Sequence, residues 1–255
     1  VRAPELSTPA VVLRTRALRD ADLIVILSTP AHGKIDCIAR GARRSLRRFP
    51  GGLPVGARGV AEVGRGRGSL SPLSMFTPSF DHSGLGRDLE AFAYVNYLCE
   101  LTDQLVGGAT PDPTSFGLLC EGIEAAMAGA RPGQLRRFEL ALLDGLGLLP
   151  VLDRCSVCAS EALADERGFP YSVDRGGVSC LAHGGGMGRV TQVTLDLAAV
   201  LLEGEPEARA EAYASADPET RRDLRDLCRD AVAKQLRAPL RSLSFFAQIA
   251  TPARA

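Results

Sequence analysis

No stretch of this chain approaches the run of about eighteen apolar residues that a membrane-spanning helix requires. Val1–Pro9 has neither a basic start nor an apolar centre, so no secretory signal is expected. Histidine is scarce. His32 lies in a turn, Pro30-Ala-His-Gly33, and His82 in a polar loop, Asp81-His-Ser-Gly84, with no activated nucleophile to serve it. Only His183 stands beside other chemistry-bearing residues. G-x-x-x-x-G-K-[ST], G-x-S-x-G and H-E-x-x-H are all absent. Gly64-Arg-Gly-Arg-Gly68 lacks the last spacing of a dinucleotide fingerprint and opens no helix. These gaps leave no catalytic residue to name, and the chain reads as a non-enzyme. Lysine is nearly missing, 2 against 28 arginines, and aromatics make up 5% of the residues.

The seven cysteines do not form a disulfide framework, because their number is odd and Cys37, Cys99 and Cys120 sit among apolar residues. Cys228 lies on a charged helix. Reduced, cytoplasmic thiols are expected. The other three carry a motif: Cys155-Ser-Val-Cys158, then 21 residues, then Cys180-Leu-Ala-His183. Two C-x-x-(C/H) pairs can each bring two ligands to a zinc ion from a tight turn. The segment between them has the pattern of a hairpin, with Phe169–Val173 running out, Asp174–Gly177 turning and Val178–Cys180 returning. Four protein ligands leave no open position, so this zinc would be structural. A redox C-x-x-C is the other reading. It would normally open a helix in a βαβ unit, whereas Cys155 follows a helix exit, Gly147-Leu-Leu-Pro150.

The formal net charge is zero, which by itself counts against nucleic acid. The distribution says more. From Arg40 to Arg67 there are eight arginines, Arg40, Arg43, Arg44, Arg47, Arg48, Arg58, Arg65 and Arg67, and one acid, Glu62. Guanidinium groups pair with phosphates and stack on bases. Such a surface binds nucleic acid through released counterions, without reading sequence. Phe49 alone lies inside the basic stretch, with Phe76 and Phe80 just beyond, so a stacking platform is not evident. A merely solvated basic loop is the competing reading.

Five short strands are expected in residues 10–80: Ala10–Arg16, Leu23–Leu27, Lys34–Arg40, Val55–Val63 and Ser69–Met75. Gly41–Pro54, rich in Arg, Gly and Pro, reads as a mobile loop. The set fits a small closed barrel of the OB type, and the pattern alone also admits a sandwich or an SH3-like barrel. Beyond it, Leu89–Leu105, Phe116–Met127 and Phe138–Leu149 repeat apolar residues every three to four positions, as helices of one bundle do. Helical pattern returns at Leu195–Leu202 and after the cap Asp217-Pro218. Leu240, Leu243, Phe246 and Ile249 form a last stripe. The fold class is α+β, an N-terminal barrel followed by a helical domain with an inserted zinc hairpin.

Val11–Asp20, His32-Gly-Lys34, Gly41-Ala-Arg-Arg44, Arg137–Pro150 directly before Cys155-x-x-Cys158, and Gly176–Cys180 together resemble the RecO family of bacterial recombination mediators over nearly the whole length. The resemblance implies an OB-fold DNA-binding domain at 1–80 and a helical domain in two parts, 81–154 and 187–255, around a zinc hairpin at 155–186. It implies binding of single- and double-stranded DNA, annealing of complementary strands, and help in loading RecA onto SSB-coated strands in the RecF pathway. RecR and the SSB carboxy-terminal tail would be partners, in a cytoplasmic, nucleoid-associated protein. Carried onto this chain, the zinc ligands are Cys155, Cys158, Cys180 and His183, where relatives commonly have a fourth Cys. The DNA-binding contribution falls on Lys34, Arg40, Arg43, Arg44, Arg47, Arg48, Arg65 and Arg67. An acidic-apolar tail would suit a groove near Arg221, Arg222 or Arg237. A zinc-stapled interaction adaptor without DNA contact is the alternative function.

Overall fold

Along the first strands every second side chain is small or apolar, and these side chains meet inside a barrel. The computed structural model describes residues 5–243 apart from 67, 82, 130, 131 and 163. Arg67, His82, Phe246 and Ile249 of the expectations above lie outside the described residues. Strands β1 (Leu6–Ala17), β2 (Leu23–Thr29), β3 (Gly33–Ala39), β4 (Arg58–Val63) and β5 (Ser71–Pro78) close in the order β1-β2-β3-β5-β4. All pairs are antiparallel except β3 with β5. Ala10, Val12, Val25, Leu27, Cys37, Ala39, Ala61, Val63, Leu73 and Phe76 fill the interior. A register shift after Val12 lets the long β1 bend from β4 onto β2. This is the OB-like barrel that the pattern of short strands predicts.

The stretch expected to be a mobile loop is pinned instead. Phe49, 1% exposed, enters the barrel core with Leu53 and Ala42. Burying a phenylalanine contributes about 1.5–3 kcal/mol, enough to fix the path of a short loop. The Arg48 carbonyl also accepts from Phe76 N–H at 2.9 Å, tying the loop to β5.

Two compact units divide the chain: Val1–Arg131 with Leu240–Ala255, and Pro132–Pro239. In the first, α1 (Leu89–Leu105) packs on β1 and on α2 (Pro113–Met127), and α2 reaches β2. Val11, Leu13 and Ile26, which alternate with the barrel interior, are therefore buried as well. Asp88 and Asp112 cap the two helices through their carboxylates. Asp103 on α1 receives Arg14 at 3.2 Å and Lys34 at 3.3 Å, and Lys34 N–H donates to Gly108 O at 2.9 Å. Gly33 makes this docking possible. Its φ is +61°, and a Cβ there would strike the backbone of Gly108 and Thr110. Gly33→Ala is expected to destabilise the unit by about 3 kcal/mol through strain and overlap, read by chemical denaturation.

The second unit holds α3 (Pro132–Gly145), a sheet of β6 (Phe169–Ser172), β7 (Gly177–Val178) and β8 (Gly188–Val190), then α4 (Gln192–Glu203), α5 (Pro206–Ser215) and α6 (Pro218–Gln235). The sheet order is β7-β6-β8. The hairpin expected at Phe169–Cys180 is present as β6 and β7, with Tyr171 opposite Val178, and β8 adds a third strand that the periodicity did not suggest. Leu140, Val178, Val190, Leu195, Leu201, Leu224 and Leu227 share one core. Asp217 caps α6 as its sequence predicts, accepting from Glu219 N–H at 2.8 Å and Thr220 N–H at 3.0 Å. Among the described residues no helix is long and apolar enough to cross a membrane.

Candidate nucleic-acid interface and metal centre

The β3–β4 loop carries most of the arginines singled out above. Arg40, Arg43, Arg44 and Arg47 are exposed, and none makes an ion pair among the described residues. The loop's first turn is bonded to the β1–β2 turn. Gly41 N–H donates to the Asp22 carboxylate at 2.8 Å, and Arg43 N–H to Ala21 O at 3.2 Å. Those bonds bring in Arg16 and Arg19, both exposed and also without an ion pair among the described residues. Counting charge along the sequence missed them because Asp20 and Asp22 follow directly. Asp22 holds Gly41 and Asp20 is exposed beside Arg19, so the two acids offset part of a charge that stays net positive, six exposed arginines against two carboxylates.

Other predicted members fall elsewhere. Arg48 closes the loop on itself: Nη2 donates to Arg40 O at 2.6 Å, Nε donates to Ser45 Oγ at 3.2 Å, and the guanidinium lies 5.2 Å from the Phe49 ring centre. Lys34 is not brought to the loop, since its ammonium is engaged by Asp103 through both the carboxylate and the backbone carbonyl. Arg58 pairs with Glu124 and supports α2. Arg65 is exposed on the β4–β5 loop, which enters β5 beside the middle of β3 through the pairing of Cys37 with Ser71. In the second unit Arg221 donates to Ala214 O and sits 5.4 Å from the Tyr213 ring centre, so it joins α5 to α6 rather than standing free. A cleft of about 430 Å³ lies between β6–β8 and α6, lined by Tyr171, Arg175, Met187, Arg189, Asp226 and Leu227. Two of its charges are paired, Arg189 with Asp165 at 2.8 Å and Asp226 with Arg225 at 2.9 Å.

The metal ligands predicted from spacing do converge. The ligand atoms of Cys155, Cys158, Cys180 and His183 all lie within 4.8 Å of one another. Two turns present them. In the first, Ala159 N–H donates to Cys155 O at 2.8 Å, and Ala159 takes a positive φ of 57°, a strained setting for a side-chain-bearing residue. In the second, His183 N–H donates to Cys180 O at 3.0 Å. The hairpin holds the turns together, with Ser156 N–H donating to Val178 O and Val178 N–H to Val151 O, both at 2.8 Å. His183 Nδ1 is 3.2 Å from Cys180 Sγ and 3.7 Å from Cys155 Sγ, and Cys158 Sγ is 3.9 Å from Cys180 Sγ. Ligands of a tetrahedral ion with thiolate bonds near 2.3 Å stand about 3.8 Å apart, so the spacing fits such an ion.

The electrostatics point the same way. Backbone N–H groups of Cys158 and Cys180 aim at the Cys155 sulfur and hold its thiol down to about 5. The Ser160 hydroxyl, 3.0 Å away, lowers Cys158. Contact with Cys155 raises His183. The remaining cysteines are the opposite case: burial pushes Cys37 up to about 12 and pushes Cys99 and Cys228 higher, which leaves them inert packing.

Comparison with known proteins covers nearly the whole chain. Residues 4–80 match the family profile described as Recombination protein O N terminal, and residues 86–244 match Recombination protein O C terminal. A DNA repair protein RecO of Geobacter metallireducens is 34% identical over 247 residues, 95% of this chain and 97% of the relative. One from an Anaeromyxobacter species, strain Fw109-5, is 35% identical over 225 residues, 87% of each. Another, from Symbiobacterium thermophilum, is 34% identical over 200 residues, 76% of this chain and 79% of the relative.

Proposed function

Since the chain belongs to the RecO family of DNA repair proteins, we propose that it binds single- and double-stranded DNA on its arginine loops and anneals complementary strands. The observation that carries this reading is the set of exposed arginines that form no ion pair among the described residues, Arg16 at the end of β1, Arg19 on the turn after it, and Arg40, Arg43, Arg44 and Arg47 on the loop bonded to that turn. Annealing needs no chemical step. Screening the phosphates of two strands lowers their repulsion and raises their local concentration, and base pairing supplies the drive. The covered outer faces of β1 and β2 support a loop-borne interface over one spread across those strands. Loading of RecA onto SSB-coated strands, with RecR and the SSB tail as partners, extends the same reading to a cytoplasmic repair pathway.

Zinc is the ion that best suits three thiolates and an imidazole in a closed tetrahedral set. Bound there it would supply a fixed cross-link between the two turns. Cys155, Cys158, Cys180 and His183 hold it, and the hairpin hydrogen bonds orient them. A second reading, a zinc-stapled adaptor without DNA contact, is favoured by Val157 and Leu181, which are exposed on the two metal-binding turns. Mixing complementary oligonucleotides, with and without SSB, separates the two. The annealer speeds duplex formation in a salt-sensitive manner, whereas an adaptor leaves the rate at that of naked DNA.

A further inference from the structure

Leu46 is 79% exposed, more than any other large apolar residue among those described, and it stands between Arg43-Arg44 and Arg47. It is not on a loose tether. On one side Arg44 N–H and Ser45 N–H donate to Gly41 O, both at 3.1 Å, and Gly41 is held by Asp22. On the other, Phe49 N–H donates to Ser45 O at 3.0 Å while the Phe49 ring is sunk in the barrel core. The turn bonded to this loop shows Leu18, 40% exposed, next to Arg19. Both apolar tips are thus set rigidly within a field of net positive charge, six exposed arginines against Asp20 and Asp22. A polyanion drawn to that field has one kind of apolar surface to offer, the faces of its bases. Aliphatic side chains presented this way enter base steps and unstack them in proteins that deform nucleic acid.

We propose that Leu46 is a wedge that enters a base step of the bound strand while the neighbouring arginines hold its phosphates, with Leu18 as a second apolar contact. This rests on the DNA-binding reading above and adds an action to it. A strand opened at a step cannot fold back compactly, so its pairing edges stay available to a complement. The wedge also provides base contact where stacking aromatics are lacking, since Phe49 is committed to the core.

The test uses the full chain and a single-stranded oligonucleotide carrying 2-aminopurine, whose fluorescence rises when it unstacks. At low salt the wild type should raise the signal about twofold or more on saturation. Leu46→Ser should bind within about threefold of wild type, because the phosphate contacts remain, yet lose most of the rise. Leu46→Met should restore it. An unchanged melting temperature for both variants shows that the fold is intact, as expected for an exposed position. A full rise with Leu46→Ser, or no rise with a wild type that binds, overturns the wedge and leaves DNA binding standing. Absence of binding by the wild type overturns both.

Discussion

Cys158→Ala should abolish metal binding by the second unit and lower its melting temperature by about 10 °C or more, the scale expected when a folded-state ligand worth several kcal/mol is lost. Cys158 is the informative choice because it is the exposed ligand, so its thiol adds little to the core. Cys155→Ala should fall further, since Cys155 is also buried. The unit should not unfold outright. Unlike a lone zinc finger, it has an apolar core of its own, from Leu140 to Leu227. Metal analysis of chelator-free protein should find one ion per chain, and chelation should reproduce the mutant's melting curve. Acidification should do the same. Protons compete with the ion for the three thiolates and the imidazole, so the contribution of a bound metal shrinks as the pH falls. A Cys158→Ala protein that still carries one equivalent of metal and melts like wild type would show that these four residues do not form a metal centre.

The combined change Arg43→Glu, Arg44→Glu and Arg47→Glu should weaken oligonucleotide binding about a hundredfold at low salt, alike for all sequences. Each phosphate contact on a single strand contributes about 0.7 to the salt slope, so losing three should flatten it by about 2. Two controls divide charge from scaffold. Lys34→Ala and Arg48→Ala should lower thermal stability, because Lys34 ties the barrel to α1 and Arg48 closes the loop. Neither should change the salt slope by a full phosphate contact. Binding by the triple mutant indistinguishable from wild type, or wild-type binding unaffected by salt, would mean that the arginines do not face DNA.

The arginine experiment turns on a distinction that residue counting does not make. Arg43 and Arg48 look equivalent along the chain, yet one ends in solvent and the other on the Arg40 carbonyl and the Phe49 ring. The family resemblance puts Lys34 with the arginines, and the fold ties its ammonium to Asp103, 69 residues away. The first unit likewise takes α1 and α2 from what periodicity presented as one run of bundle helices. Helix α5 gave no periodic signal, because none of its residues is buried.

What the chain determined by itself was local. Alternating apolar residues dictate strands, a C-x-x-(C/H) spacing dictates ligand turns, and Asp217-Pro218 dictates a helix start, since each depends on groups a few residues apart. What required the tertiary structure was the pairing of distant groups. Whether a guanidinium meets a carboxylate, a carbonyl or water depends on which surfaces pack together, and burial of Phe49 and the reach of Asp103 decided that for the basic face.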